Sequence, residues 1–203
     1  MSPDATVSPS VVQRCVEKAR ASGYDSVLTS AVSPRESGPF VDAGFVVHER
    51  LHLLALDLDR APDPPVLPLA KAARRDRPAV LALDDLSFDG FWRLGTLGLK
   101  DALDATPSSR FRIARDGDRV VAYAITGVAG GFGYLQRIAV HPDARGRGWG
   151  NALVADALAW IWRHGATRAY VNTQLENTRA LALYQSFGFD VLPAGLCVLG
   201  RSL

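Results

Sequence analysis

The stretch Val140–Asn151, VHPDARGRGWGN, decides the fold. The strand-forming run FGYLQRIAV over 132–140 leads into it and stops at His141-Pro142. Glycines at 146, 148 and 150 open a loop. From Trp149 to Arg163 the apolar positions 149, 153, 154, 157, 158, 161 and 162 keep helical spacing. A strand, a glycine loop and a new helix make an anion cradle. Glycines let backbone N–H groups crowd around a phosphate, and the helix start adds its unpaired N–H groups and positive dipole end. Arg145 and Arg147 add fixed charge. Taken alone, the loop is equally well a glycine-rich turn, because short glycine motifs are common.

Downstream, Gly165 predicts the end of that helix. Ala169–Asn172 reads as a short strand, Thr178–Phe187 as a helix stopped by Gly188, and Phe189–Leu199 as a final hairpin interrupted by Pro193 and Gly195. Upstream, the spacing predicts a strand within 66–72, a helix capped by Asp76 with Arg77-Pro78 in its first turn and 79–86 continuing it, and a second helix over 94–103. A hairpin of Phe111–Arg115 and Val120–Thr126 follows. Hairpins mixed with helical crossovers predict an α/β fold with a mixed sheet.

The segment RAPDPPVLP over 60–68 has four prolines in nine residues and cannot continue a helix or a central strand. It predicts a linker at 61–65 between a unit of 1–60 and a larger one of 66–203. The first part echoes the second. A helical run, Val11–Ala21, ends at Gly23 as the later one ends at Gly165, a short strand follows each, and then comes a Gly-Phe pair, Gly44-Phe45 and Gly188-Phe189. This pattern reads as a truncated internal repeat. The early copy has no glycine loop before its helix, and Phe40 stands where the later copy has Tyr184.

A second motif lies in that later copy: Asn177-x-x-Ala180-x-x-Leu183-Tyr184-x-x-x-Gly188-Phe189. Positions 180, 183, 184 and 187 form one apolar helix face, so Tyr184 points inward, as a core aromatic also would. In order and spacing, Arg145-x-x-Gly148-x-Gly150 and Asn177–Phe189 together resemble the GNAT superfamily of acetyl-CoA-dependent N-acetyltransferases. The resemblance covers roughly 66–203.

It implies a central, mostly antiparallel mixed sheet flanked by helices, and direct transfer of an acetyl group to an amine acceptor, protein or small molecule. The cofactor residues it implies are Ile138, Ala139 and Val140 on the strand and Arg145, Gly146, Arg147, Gly148, Trp149, Gly150 and Asn151 in the loop. Asn177 is implied as an acetyl-CoA contact or helix cap, and Tyr184 as the acid that protonates the leaving thiolate. A thiol pKa near ~8.5 and a phenol pKa near ~10 suit that exchange. The late motif, similar to that of protein-acetylating members, leans towards a protein lysine or N-terminus as acceptor.

The chain departs from the family in one place. Many members carry a glutamate near the start of the strand before the loop, and FGYLQRIAV has no carboxylate. Tyr134 or Gln136 could order a water instead, and Asp84, Asp85, Asp89 or Glu176 could reach the site. Among the aromatics Phe88, Phe91, Trp92 and Trp149, core packing is the commoner fate. The pair Phe91-Trp92 is the one that fits an acceptor pocket. A non-catalytic acetyl-CoA-binding module is compatible with the same motifs.

A rival signal is His48-Glu49-Arg50-Leu51-His52, the H-E-x-x-H pattern of zinc peptidases. On a helix the two histidines share a face. On a strand they lie about 13 Å apart, too far for one metal. The flanking runs FVVHERL and LLALDL read as a hairpin, so no metal is expected.

The remaining composition is bounded more loosely. The 203 residues carry 23 basic and 21 acidic side chains, too even a balance for a general nucleic-acid or membrane binder. Only Lys18, Lys71 and Lys100 are lysines. Cys15 and Cys197 read as small buried apolar residues of a reducing compartment. The N-terminus lacks the basic and apolar regions of a signal peptide, which gives a cytoplasmic expectation.

Overall fold

A computed structural model describes residues 7–203. The elements in chain order are α1 (Pro9–Ala21), β1 (Ser26–Leu28), α2 (Gly38–Asp42), β2 (Val46–Asp57), β3 (Ala70–Lys71), α3 (Arg77–Asp85), α4 (Thr96–Asp104), β4 (Ser108–Asp116), β5 (Arg119–Ala129), β6 (Phe132–Val140), α5 (Trp149–Arg163), β7 (Arg168–Gln174), α6 (Thr178–Ser186), β8 (Asp190–Val191) and β9 (Leu196–Ser202). The fold is mixed α/β, with strands that pair mostly antiparallel. From residue 66 onward the order of strands and helices is the one that periodicity predicts, and β6 and α5 have the predicted bounds. Residues 61–65, the proline-rich segment, form no helix or strand.

The chain divides into two compact units. One is Ala55–Val171 with Ser186–Gly188. The other takes the chain up to Leu54 together with Asn172–Gln185 and Phe189–Leu203.

In the Ala55–Val171 unit the strand order is β7-β6-β5-β4-β3. Strands β6 and β7 are parallel, from Phe132↔Arg168 to Leu135↔Val171, and the other pairs are antiparallel. Alternate residues of β5 serve the two faces. Tyr123 and Ile125 pack with Val80, Leu83 and Leu99 of α3 and α4, whereas Ala122 and Ala124 pack with Leu153 of α5. Helix α5 buries nine residues, from Ala152 to Ile161.

Between the pairs Thr126↔Leu135 and Ile125↔Arg137, β6 holds one extra residue, Gln136. This β-bulge shifts the side-chain alternation by one position. Tyr134, Arg137 and Ala139 therefore share the α3–α4 face, and even alternation along FGYLQRIAV does not anticipate it.

In the other unit β9 pairs antiparallel with both β1 and β2. Val12 and Val16 of α1 pack with Phe45, Cys197 and Leu199. Three expectations are corrected here. The runs 45–51 and 53–58 are not a hairpin but one strand, β2, with a bulge at His48. The final segment is not a hairpin either, because β8 pairs with β2 rather than β9; Pro193 and Gly195 give the chain room to cross over. Cys15 is exposed and Cys197 buried, because position 15 falls on the outer face of α1.

Candidate active site

Helix α5 starts at Trp149 with Gly148 as its N-cap at φ +85°, a left-handed conformation that only glycine adopts without strain. No side chain caps this end. The first helical bond runs from the Ala152 N–H to the Gly148 carbonyl at 3.0 Å, so the N–H groups of Trp149, Gly150 and Asn151 lack partners within the helix. Gly146 is also left-handed, at φ +76°. Arg145 and Arg147 are exposed; Arg147 reaches Asp116 at 3.1 Å, while Arg145 makes no ion pair among the described residues. Backbone donors, an uncapped dipole end and a spare guanidinium fit a pyrophosphate. The Trp149 side chain packs beside Leu69, Ile138 and Val140 against the core cluster of Leu153.

The His141 N–H donates to the Val121 carbonyl at 2.8 Å. Alternation along β6 then turns the N–H groups of Ile138 and Val140 away from β5 and that of Ala139 into it. Ala139 is buried with Val80 and Leu83, so Ile138 and Val140 are the residues of this trio that offer donors at the strand edge.

The α3–α4 face of β6 holds a buried ion pair that the sequence reading missed. Asp84, fully buried, accepts from Arg137 through both carboxylate oxygens at 2.7–2.8 Å, from the Tyr123 hydroxyl and from the Leu94 N–H at 2.7 Å. Arg137 also donates to the Trp92 carbonyl and lies over the Phe88 ring at 3.4 Å. Burial is the largest cause that raises the Tyr123 pKa, and its bond to Asp84 adds to it. The cluster ties the segment 84–94 to the bulge of β6. Asp84 is thus spoken for and is no free base. The expectation that Phe88 is core holds, as Phe88 packs on the α3–α4 cluster, whereas Phe91 is 40% exposed and lies 4.6 Å from Trp92, ring to ring. The signals for the missed cluster were a charge inside an apolar strand and an aspartate on the apolar side of LALDD.

A second missed pair sits on α5. Asp156 is held by Arg110 at 2.7 and 2.8 Å and by Arg112 at 3.3 Å. Burial disfavours its charge, but the Arg110 hydrogen bond and both arginine charges outweigh burial and hold the carboxyl below the usual range.

In the other unit Asn177 caps α6, its Oδ1 accepting the Ala180 N–H at 3.1 Å. Tyr184 is 2% exposed, with its ring 6.0 Å from that of Phe189. Burial pushes its phenol well above the ordinary value. The hydroxyl therefore stays protonated across the whole physiological range and is a donor rather than a base.

The HERLH segment lies on β2 and not on a helix, so its histidines are not stacked one turn apart. Among the described residues no helix is long and apolar enough to cross a membrane.

The sequence pattern of the Acetyltransferase (GNAT) family matches residues 77–189. The chain is 28% identical over 206 residues to a mycothiol acetyltransferase of Acidimicrobium ferrooxidans, covering 90% of this chain and 66% of that protein. It is 36% identical over 73 residues to the ribosomal protein bS18 alanine N-acetyltransferase of Salmonella typhimurium, which covers 36% of this chain and 49% of that one. The chain thus spans from about half to about two thirds of the length of these curated relatives. Its fold is similar to that of a tandem GNAT protein from the clavulanic acid biosynthesis pathway, with a TM-score of 0.67 and 16% identity over 95% of this chain and 69% of that one.

Proposed function

Because the chain belongs to the GNAT acetyltransferase family, we propose that it is an N-acetyltransferase that moves the acetyl group of acetyl-CoA directly to a primary amine of a protein, at a lysine or an N-terminus. The observation that carries this reading is the uncapped, glycine-opened start of α5 beside Arg145. Bound acetyl-CoA supplies an activated thioester. The amides of Arg145–Asn151 hold its pyrophosphate, and the Ile138 and Val140 N–H groups hold its arm and thioester carbonyl by adding to the edge of β6. The amine lone pair forms the C–N bond while the C–S bond breaks. Tyr184 gives its proton to the departing sulfur and regains one from solvent, and the nitrogen loses its extra proton to water.

Burial keeps the Tyr184 phenol protonated in the resting enzyme, so it meets the departing sulfur as a hydrogen-bond donor. The same burial widens the gap between phenol and thiol and opposes full proton transfer, so the proton passes only as negative charge builds on the sulfur. The 28% identity to a mycothiol acetyltransferase over most of the chain supports a second reading, a small-molecule amine as acceptor.

Labelled acetyl-CoA, incubated with the protein and a panel of amines, peptides and lysate proteins, tests the function. Acetyl transfer that falls on Tyr184→Phe supports it. Binding of acetyl-CoA with no transfer to any amine favours a non-catalytic module.

A further inference from the structure

One face of the Ala55–Val171 unit carries a stripe of aromatic side chains. A Cβ on Gly133 would lie 2.2 Å from Ile161 of α5, so Phe132 and Tyr134 project from the opposite face. Parallel pairing sets Phe132 beside Arg168 and Tyr134 beside Tyr170. The Tyr134 and Tyr170 rings stack at 6.0 Å, and Phe132 meets Tyr170 edge-on at 5.7 Å. Phe132 is 40% exposed and the two tyrosines are half-buried, so the stripe is open to a ligand.

The stripe ends at the bulge of β6 in an unanswered acceptor. Gln136 donates its Nε2 to Thr106 Oγ1 at 3.3 Å, but its Oε1 is buried with no hydrogen-bond partner among the described residues. A desolvated carbonyl oxygen without a donor costs about 1–3 kcal/mol, so the site favours a ligand that brings an N–H. Gly127 makes the arrangement possible. A Cβ there would sit 2.3 Å from Thr106 Oγ1 and 2.4 Å from Gln136 Nε2.

Among the described residues, the carboxylates bonded to this face are already engaged by arginines. The carboxylates that bond to it are Asp57, paired with Arg168 at 2.9 Å, and Asp84, paired with Arg137. Each is held by a guanidinium, and that of Arg168 stands 5.9 Å from the Tyr170 ring.

We propose that Phe132, Tyr134, Tyr170 and Gln136 form the acceptor subsite, and that it selects an α-amino group carried between an amide and an apolar side chain over a lysine ε-amine or a polyamine. This deepens the acetyltransferase reading and rests on it. A site whose bonded carboxylates are both tied to arginines favours an amine that arrives already neutral. With pKa values near ~7.8 for an α-amine and ~10.4 for a lysine, the neutral fraction at pH 7 differs by roughly 340-fold. The aromatic stripe holds the apolar side chain of the first residue. Gln136 Oε1 accepts one amine N–H and leaves the lone pair free to attack.

The test compares five acceptors with acetyl-CoA at pH 7: a Phe-headed peptide without lysine, its Gly-headed counterpart, an N-formylated peptide with one internal lysine, phenylalaninamide and spermidine. The two α-amine sources, peptide and amino-acid amide, are separated by the first and fourth. We expect kcat/KM for the Phe-headed acceptors to exceed that for the lysine peptide by roughly 10²-fold, rising with unit slope in pH and levelling near the acceptor's own pKa. Tyr134→Ala and Tyr170→Ala reduce the Phe-over-Gly preference by roughly 10-fold, while Tyr170→Phe keeps it. Calorimetric acetyl-CoA affinity reports that each variant is folded. A lysine peptide or spermidine that matches the α-amines, or variants that slow Phe- and Gly-headed peptides alike, overturns the subsite and leaves the acetyltransferase standing. No transfer to any of the five or to a wider amine panel, with acetyl-CoA still bound, overturns both.

Discussion

At the end of α2 the Phe45 N–H donates to the Phe40 carbonyl at 3.0 Å, and at the end of α6 the Phe189 N–H donates to the Tyr184 carbonyl at 3.2 Å. Both turns pass through a glycine at positive φ, Gly44 at +81° and Gly188 at +88°. Both bring the two aromatic rings edge-on, at 5.7 and 6.0 Å. Helices α1 and α5 also end alike: Tyr24 N–H bonds to the Ala19 carbonyl as Ala166 N–H bonds to that of Ile161, each the six-residue closure of a helix that stops at glycine. This likeness supports reading α1–β1–α2 as a partial copy of α5–β7–α6.

The differences lie in the chemistry. The later copy has a hydroxyl where the earlier has a bare ring, and its first helix starts from a glycine loop where α1 starts from Ser8.

The sharpest way to break the comparison is to exchange its reactive group. Tyr184→Phe lowers kcat by roughly 10²–10⁴-fold, the scale of general acid catalysis, with acetyl-CoA affinity little changed. Phe40→Tyr restores none of it. Because burial holds the Tyr184 phenol above its ordinary value, kcat shows no fall assignable to it below about pH 10. A pH–rate profile of wild type against Tyr184→Phe reads this, and equal turnover removes Tyr184 from the mechanism.

The two first helices also differ in load. Helix α5 buries nine residues and α1 only Val12 and Val16. Leu158→Ala is expected to cost about 2–5 kcal/mol of unfolding free energy, the usual range for such a core truncation. Val16→Ala removes two methyls and costs about 2 kcal/mol. Urea unfolding of both variants measures the gap, and equal losses would show that α1 is as deeply built into the core as α5.

The smallest expected difference is in acid. Helix α5 holds the buried Asp156, whose carboxyl is depressed by Arg110 and Arg112, whereas the acidic residue of α1, Glu17, is exposed. A depressed carboxyl contributes stability above its unfolded pKa of about 3.9 and loses it as pH falls through the lower folded value. Asp156→Asn therefore flattens the decline in melting temperature below about pH 4, and a decline as steep as the wild type's would remove Asp156 from the acid response.

Much of this was legible in the residues. The glycine loop, the bounds of β6 and α5, and the apolar face that buries Tyr184 follow from local spacing, because each is set by neighbours along the chain. Non-local pairing was not legible. The hairpins expected at 45–58 and 189–199 failed because strand runs do not state their partners: β2 is continuous, and β8 joins β2. The bulge at Gln136 is likewise set across the sheet, and it turned Arg137 towards Asp84 and hid the cluster from a count of alternating residues. Cys15 was misjudged for a simpler reason, since a small apolar residue on a helix with two buried positions has more exposed places to fall than buried ones.

The central claim is that the chain carries one acetyl-CoA site, built on the loop before α5, and that the earlier copy carries none. Calorimetric titration with acetyl-CoA tests it most directly. The account predicts one molecule bound per chain, with affinity weakened about 10-fold or more by Gly148→Val, which forces a branched residue into a left-handed cap, and unchanged by Gly23→Ala. Two molecules per chain, or full affinity in Gly148→Val, would contradict it.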